Sequence, residues 1–270
     1  IVPYINWLYF FHAWGLSGKP VGEKEKMKQE ALLMLKSWYG KYHTHALFRL
    51  MKACSDGDDI VLIDDLNDKT NGQTIRSEVR IPMLRQQNVS ADGQPNLCLS
   101  DFLRPIYMEK TDCLGIFCAT VDAEIVELYR HDDYQSMLAQ TLSDRLAEAT
   151  AECMHQEVRT TFWGYAADEK LTMEQLLRED YQGIRPAVGY PSMPDTSINF
   201  LLDEILGMKE VGIRLTESGM MTPHASVSGL MFSHPKAHYF ELGKIGEDQL
   251  RDYANRRGIC LLYTSPSPRD

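Results

Sequence analysis

An α+β fold with a mostly antiparallel sheet is what this sequence predicts, on three observations. Two strand-like runs flank an Asn-Gly pair, the pattern of a hairpin. The apolar run "DCLGIFCATV" suits a central strand buried on both faces. Helical stripes stand apart from these runs, with no strict βαβα order.

Taken in order, residues 23–40 read as a helix. Met27, Ala31, Leu35 and Trp38 recur at i+4 and i+3 spacing, and Gly40 suits the position just past the end. "DDIVLIDD" is a short β-rich run, and "TIRSEVRIPM" alternates until Pro82 stops it. "LNDKTNGQ" between them is the predicted turn. Residues 123–160 form the longest helical region. Leu138, Leu142, Leu146, Ala149 and Cys153 make its apolar stripe, with Asp144, Glu148 and Glu152 on a neighbouring face. "TMEQ" at residues 172–175 fits a capping box. "INFLLDEILGM" reads as a helix, and "GIRLTES", "VSGLMFS" and "AHYFELGKI" as strands. "GEDQLRDYANRRG" is a helix ending at Gly258. Residues 261–270 carry no period and resemble translated adaptor sequence. They are read as a non-native tail, a flexible native tail being the alternative.

The 270 residues, 44% hydrophobic and 24% charged, suffice for one large domain or two small ones. A net charge of −10 argues against a broad nucleic-acid surface, although Arg256 and Arg257 leave room for a local basic patch. Six cysteines without a C-x-x-C pair or zinc spacing suggest a reducing, cytoplasmic compartment. No apolar run approaches the roughly 18–20 residues of a membrane span. The N-terminus lacks a basic region and a methionine, and reads as the start of an excised piece rather than a signal peptide. The fingerprints of dinucleotide, P-loop, zinc-protease and serine-hydrolase sites are absent.

The chemistry concentrates in "GIRPAVGYPSMPD", residues 183–195. Its three prolines and two glycines hold an irregular loop in one shape. Arg185 suits bidentate recognition of a carboxylate; a structural salt bridge to Glu179 or Asp180 is the other reading. Tyr190, between Gly189 and Pro191, lines a site or simply packs. The acidic row on the long helix is a solvated face or a strip facing a cationic ligand. His234, His238 and Tyr239 lie on or near a strand, and "PHASVSG" leaves space for close backbone approach.

Together the strings "YINWLYFFHAWGLSGK", "LCLSDFLRP", "HDDYQSMLAQTLSDRLAEATAE", "FWGYA", "YQGIRPAVGYPSMPD", "LTESGMMTPHASVSGLMFSHP" and "DQLRDYANRRG" resemble, in order, the C-terminal activation domain of cobalamin-dependent methionine synthase. The resemblance covers residues 1–258 and implies a single domain over 1–260. It also implies a curved α+β domain round a twisted, mostly antiparallel sheet flanked by helices. Such domains bind S-adenosylmethionine and present its methyl group for reductive remethylation of cob(II)alamin. The cobalamin is bound by another domain of the parent methyltransferase, and flavodoxin or an equivalent reductase supplies the electron. A fragment alone is then expected to bind without turning over. A stand-alone reactivase subunit for another corrinoid protein is the alternative, and a self-sufficient methyltransferase a third reading.

By the same resemblance, Arg185 meets the ligand carboxylate, Ala187 and Tyr190 line the site, and Glu148 lies near the cationic end. Tyr239 and Phe240 match an aromatic pair. Asp144 matches an acid that meets the cobalamin domain's freed histidine. No catalytic or metal-ligating side chain is implied. The chain departs from the usual pattern in three places: Asn6 replaces an aspartate, Phe240 a frequent second tyrosine, and Met193 a frequent cysteine. Asn6 can still accept a hydrogen bond from the ligand ammonium, but a neutral acceptor is roughly half as strong as a charged one.

Overall fold

The computed structural model describes residues 1–67, 74–87, 93, 95–108 and 110–260. In chain order the elements are α1 (Trp7–Ala13), α2 (Val21–Trp38), β1 (Thr44–Asp56), β2 (Asp59–Asn67), β3 (Thr74–Pro82) and β4 (Asp112–Val121). Then follow α3 (Glu124–Glu127), α4 (Asp133–Glu157), α5 (Met173–Leu177), α6 (Ile198–Leu206), β5 (Arg214–Leu215), β6 (Met221–Thr222), β7 (Ser226–Met231) and α7 (Glu247–Arg257). Five strands form an antiparallel sheet in the order β3-β2-β1-β4-β7, and β5 pairs with β6. The fold is therefore the expected α+β type.

Local chemistry explains the boundaries. Gly40 and Gly258 follow α2 and α7 with φ of 72° and 68°, a region that costs a side-chain-bearing residue strain. Asp132 caps α4 by accepting the Gln135 N–H at 3.0 Å, and Thr172 and Gln175 complete a capping box on α5. The predicted 123–160 helix is interrupted between α3 and α4, and it ends in a π-helical turn, Val158–Phe162.

The chain divides into two compact units. The first comprises Ile1–Phe48, Phe117–Tyr181 and Leu202–Ser228. Its core joins Ile5 and Phe10 to Ala31, Leu35 and Trp38 of α2 and to Leu138, Leu142 and Leu146 of α4. Each such fully buried large side chain contributes about 1.5–3 kcal/mol. Of the predicted α4 stripe, Cys153 alone stays half-buried. Asp122, just past β4, accepts the His43 N–H and meets His45 Nε2, both at 2.7 Å.

The second unit comprises Arg49–Ile116, Gln182–Leu201 and the described residues from Gly229 onward. Ile60, Val61 and Leu62 of β2 are fully buried, and the β2–β3 register sets Leu62 opposite Val79. The predicted Asn-Gly turn lies outside the described residues. Two expected strands are corrected. Only Arg214–Leu215 of "GIRLTES" is extended in a ladder, and "AHYFELGKI" forms no strand. Its apolar residues are satisfied otherwise: the Leu242 carbonyl takes one N–H from Gln87, and Phe240 and Ile245 pack on Leu84, Leu242 and Tyr253. Among the described residues no helix is long and apolar enough to cross a membrane.

Candidate functional site

The loop at residues 183–195 is closed by its own backbone. Tyr190 N–H donates to the Ala187 carbonyl at 3.3 Å, and Gly189 sits at the third position of that turn with φ 88°. A type II turn demands that conformation there. The next turn places Pro191 second, where its fixed φ belongs, and Met193 N–H donates to the Tyr190 carbonyl at 2.8 Å. Gly189 N–H returns to the Met193 carbonyl at 2.8 Å.

The same loop is tied to the chain around β7. Ile184 and Phe232 exchange both backbone hydrogen bonds, at 3.0 and 2.9 Å, and Leu230 N–H donates to the Pro186 carbonyl at 3.0 Å. Arg185 N–H donates to the Tyr239 hydroxyl at 3.0 Å. Ile184, Ala187 and Val188 face inward, Arg185 is half-buried, and Tyr190 and Tyr239 are 52% and 42% exposed. The result is a rigid loop with a cationic side chain and two accessible rings.

Segment 232–240 is held from below by Phe102. Its ring lies 6.0 Å from Phe232, 5.9 Å from His234, 6.1 Å from His238 and 6.4 Å from Phe240. Phe102 was visible in the sequence only as part of "LCLSDFLRP", with nothing to mark its role. Tyr239 and Phe240 make different contacts: the Tyr239 hydroxyl accepts from the Arg185 N–H, whereas Phe240 packs on the Leu84–Leu242–Tyr253 cluster. A hydroxyl at position 240 would have to enter that apolar packing.

In the first unit, Asn6 is the cap of α1, its side-chain oxygen accepting the Leu8 N–H at 3.1 Å. Glu148 and Asp144 are half-buried on α4. Asp144 accepts from Gln140 Nε2 at 3.0 Å and lies 3.4 Å from His224 Nδ1. The acidic row is not a simple solvated face, because its last member, Glu152, is buried. Glu152 Oε2 accepts from the Tyr181 hydroxyl at 3.4 Å, and its other oxygen lies 4.0 Å from Arg159. Arg159 is fully buried on the π-helical turn, pairs with Glu169 at 2.8 and 3.0 Å, and stacks 3.7 Å over the Tyr181 ring. Nearby, burial and then the Cys153, Glu157 and Glu152 groups push the Tyr4 phenol up to about 12. Among the described residues no group of three or more His, Cys, Asp and Glu could hold a metal ion.

The family model for the activation domain of vitamin B12-dependent methionine synthase matches residues 1–258. The chain belongs to that family. The crystal structure of the MetH reactivation domain bound to AdoHcy is similar to this chain at 37% identity and a TM-score of 0.85, over 96% of this chain and 83% of that one. Membership in the activation-domain family agrees with the α+β architecture, and the match ends at Gly258, just past α7.

Proposed function

We propose that this activation domain binds S-adenosylmethionine through the 183–195 loop and presents its methyl group for reductive remethylation of cob(II)alamin held by another domain of methionine synthase. The observation that carries the reading is the backbone-locked loop bearing Arg185 beside Tyr239, in a chain of this family. The AdoHcy bound to the similar structure is the demethylated form of the same ligand.

The loop's chemistry fits such a ligand. The Arg185 guanidinium takes the carboxylate as a two-pronged donor. Residues 187–190 offer backbone groups on a turn that needs no ordering on binding, which removes one cost of association. Asn6 and Glu148 are proposed for the ammonium and the cationic end, and Asp144 for the cobalamin domain's histidine. Phe240 is proposed as the apolar support beside Tyr239. The methyl donor supplies the reactive carbon, and this chain's share is positioning. Flavodoxin or an equivalent reductase is the proposed electron donor.

Isothermal titration with S-adenosylmethionine tests the reading. Arg185→Ala should weaken binding by about 10- to 150-fold, the worth of a hydrogen bond to a charged group. Arg185→Lys should fall between, keeping charge but losing the fork. Absence of any binding heat from the unmutated protein would sink the proposal.

A further inference from the structure

Helix α7 carries two adjacent arginines with different duties. Arg256 pairs with Asp59 and Asp252 and donates to the Met83 carbonyl at 2.9 Å, so it fixes the helix to β2 and the end of β3. Arg257 donates to the Ser197 carbonyl and hydroxyl at 3.1 and 2.9 Å, with its Nε 3.5 Å from Asp195 Oδ2. Neither arginine is a free basic patch. One turn earlier, the Tyr253 hydroxyl donates to the same Asp195 oxygen at 2.7 Å. Asp195 also accepts from the Ser197 N–H and hydroxyl, both at 2.9 Å.

Asp195 is the last residue of the 183–195 loop, whose first limb is held at Ile184 and Arg185. Tyr253 and the Arg257 side chain are 3% and 8% exposed, so neither is open to a ligand. Ser192, Pro194 and Asp195 line one cavity with Met83 and Tyr253. A buried hydroxyl and a guanidinium therefore converge on the carboxylate that ends the loop.

We propose that Asp195, Tyr253 and Arg257 are positioning residues that set the binding loop in its ligand-ready shape before any ligand arrives. This rests on the reading of that loop as the S-adenosylmethionine site. Tyr253 holds the outgoing limb through Asp195, Arg257 holds it through Ser197 and Asp195, and Arg256 anchors the helix that carries both.

Tyr253→Phe removes one hydroxyl and keeps the ring. Hydrogen exchange without ligand should then quicken about tenfold at the Gly189 and Met193 amides, as one charge-assisted hydrogen bond is lost. Exchange at Leu62 in β2 should be unchanged. Affinity for S-adenosylmethionine should fall about fivefold in the parent but less than about twofold in Arg185→Lys, because residues acting through one unit are not additive. Unchanged exchange at Gly189 and Met193 overturns the proposal, and so does equal quickening at Leu62. An equal affinity loss in both backgrounds also overturns it. Faster loop exchange in a protein whose parent gives no binding heat supports the clamp and removes the ligand reading alone. Should Tyr253→Phe fail to fold, Asp195→Asn takes its place with the same readouts.

Discussion

At the scale of single residues, Asn6 caps α1 and carries a second duty only on the proposed reading of the ligand site. Any Asn, Asp or Ser could make that cap. Asn6→Asp should leave the melting temperature nearly unchanged and, on the proposed role, tighten S-adenosylmethionine binding severalfold. Asn6→Ala should lose about 0.5–2 kcal/mol of stability with the cap. Thermal melts and titrations on the two variants separate the duties: equal affinity in the parent and in Asn6→Asp would remove the ammonium role. The sequence marked Arg185 as special, but the residues alone left it between a salt bridge and a ligand clamp. Resemblance supplied the ranking. Asp195 and Tyr253, 58 positions apart, left no signal in spacing at all.

At the scale of elements, the readable ones carried their instructions locally. The α2 stripe, the α5 capping box and the glycine after α7 each lie within a few residues of the structure they specify. β1 went unread because its charged and half-buried positions do not alternate cleanly; its burial comes from neighbouring strands. The reverse error occurred at "AHYFELGKI", where β-prone residues serve aromatic packing rather than a ladder. Gly115 on β4 shows what such packing demands. A Cβ there would sit 2.7 and 2.9 Å from Met231 atoms and 3.4 Å from Leu50. Gly115→Ala should cost about 1–3 kcal/mol in chemical denaturation. Gly22→Ala, in α2 with open space around it, should instead gain a few tenths to about 1 kcal/mol. Similar effects at both sites would contradict this packing.

At the scale of the molecule, ionisation should limit stability from both sides. Burial raises the Asp122 carboxyl, but the His45 and His43 bonds outweigh it and leave it below its ordinary value. Its contribution is present above about pH 4 and is lost as pH falls through the lower folded value. Burial, opposed only in part by a backbone bond from Leu47, pushes the Cys118 thiol up to about 12, and Tyr4 is likewise near 12. Their contributions are full below the ordinary thiol and phenol values and fade as pH rises through 12. The gap in urea midpoint between parent and Asp122→Asn should therefore shrink below about pH 4. A gap that is the same at about pH 3 and about pH 6 would refute the assignment.

The hydroxyl that meets Arg185 belongs to a residue 54 positions further along the chain. The aspartate that ends the loop waits for a tyrosine 58 positions away. During synthesis, then, residues 183–195 leave the ribosome well before Tyr239 and Tyr253, which meet them in the fold. A gene fragment broken between the loop and α7 would still encode "GIRPAVGYPSMPD" intact. The encoded chain would lack Tyr253, whose hydroxyl meets the end of that loop.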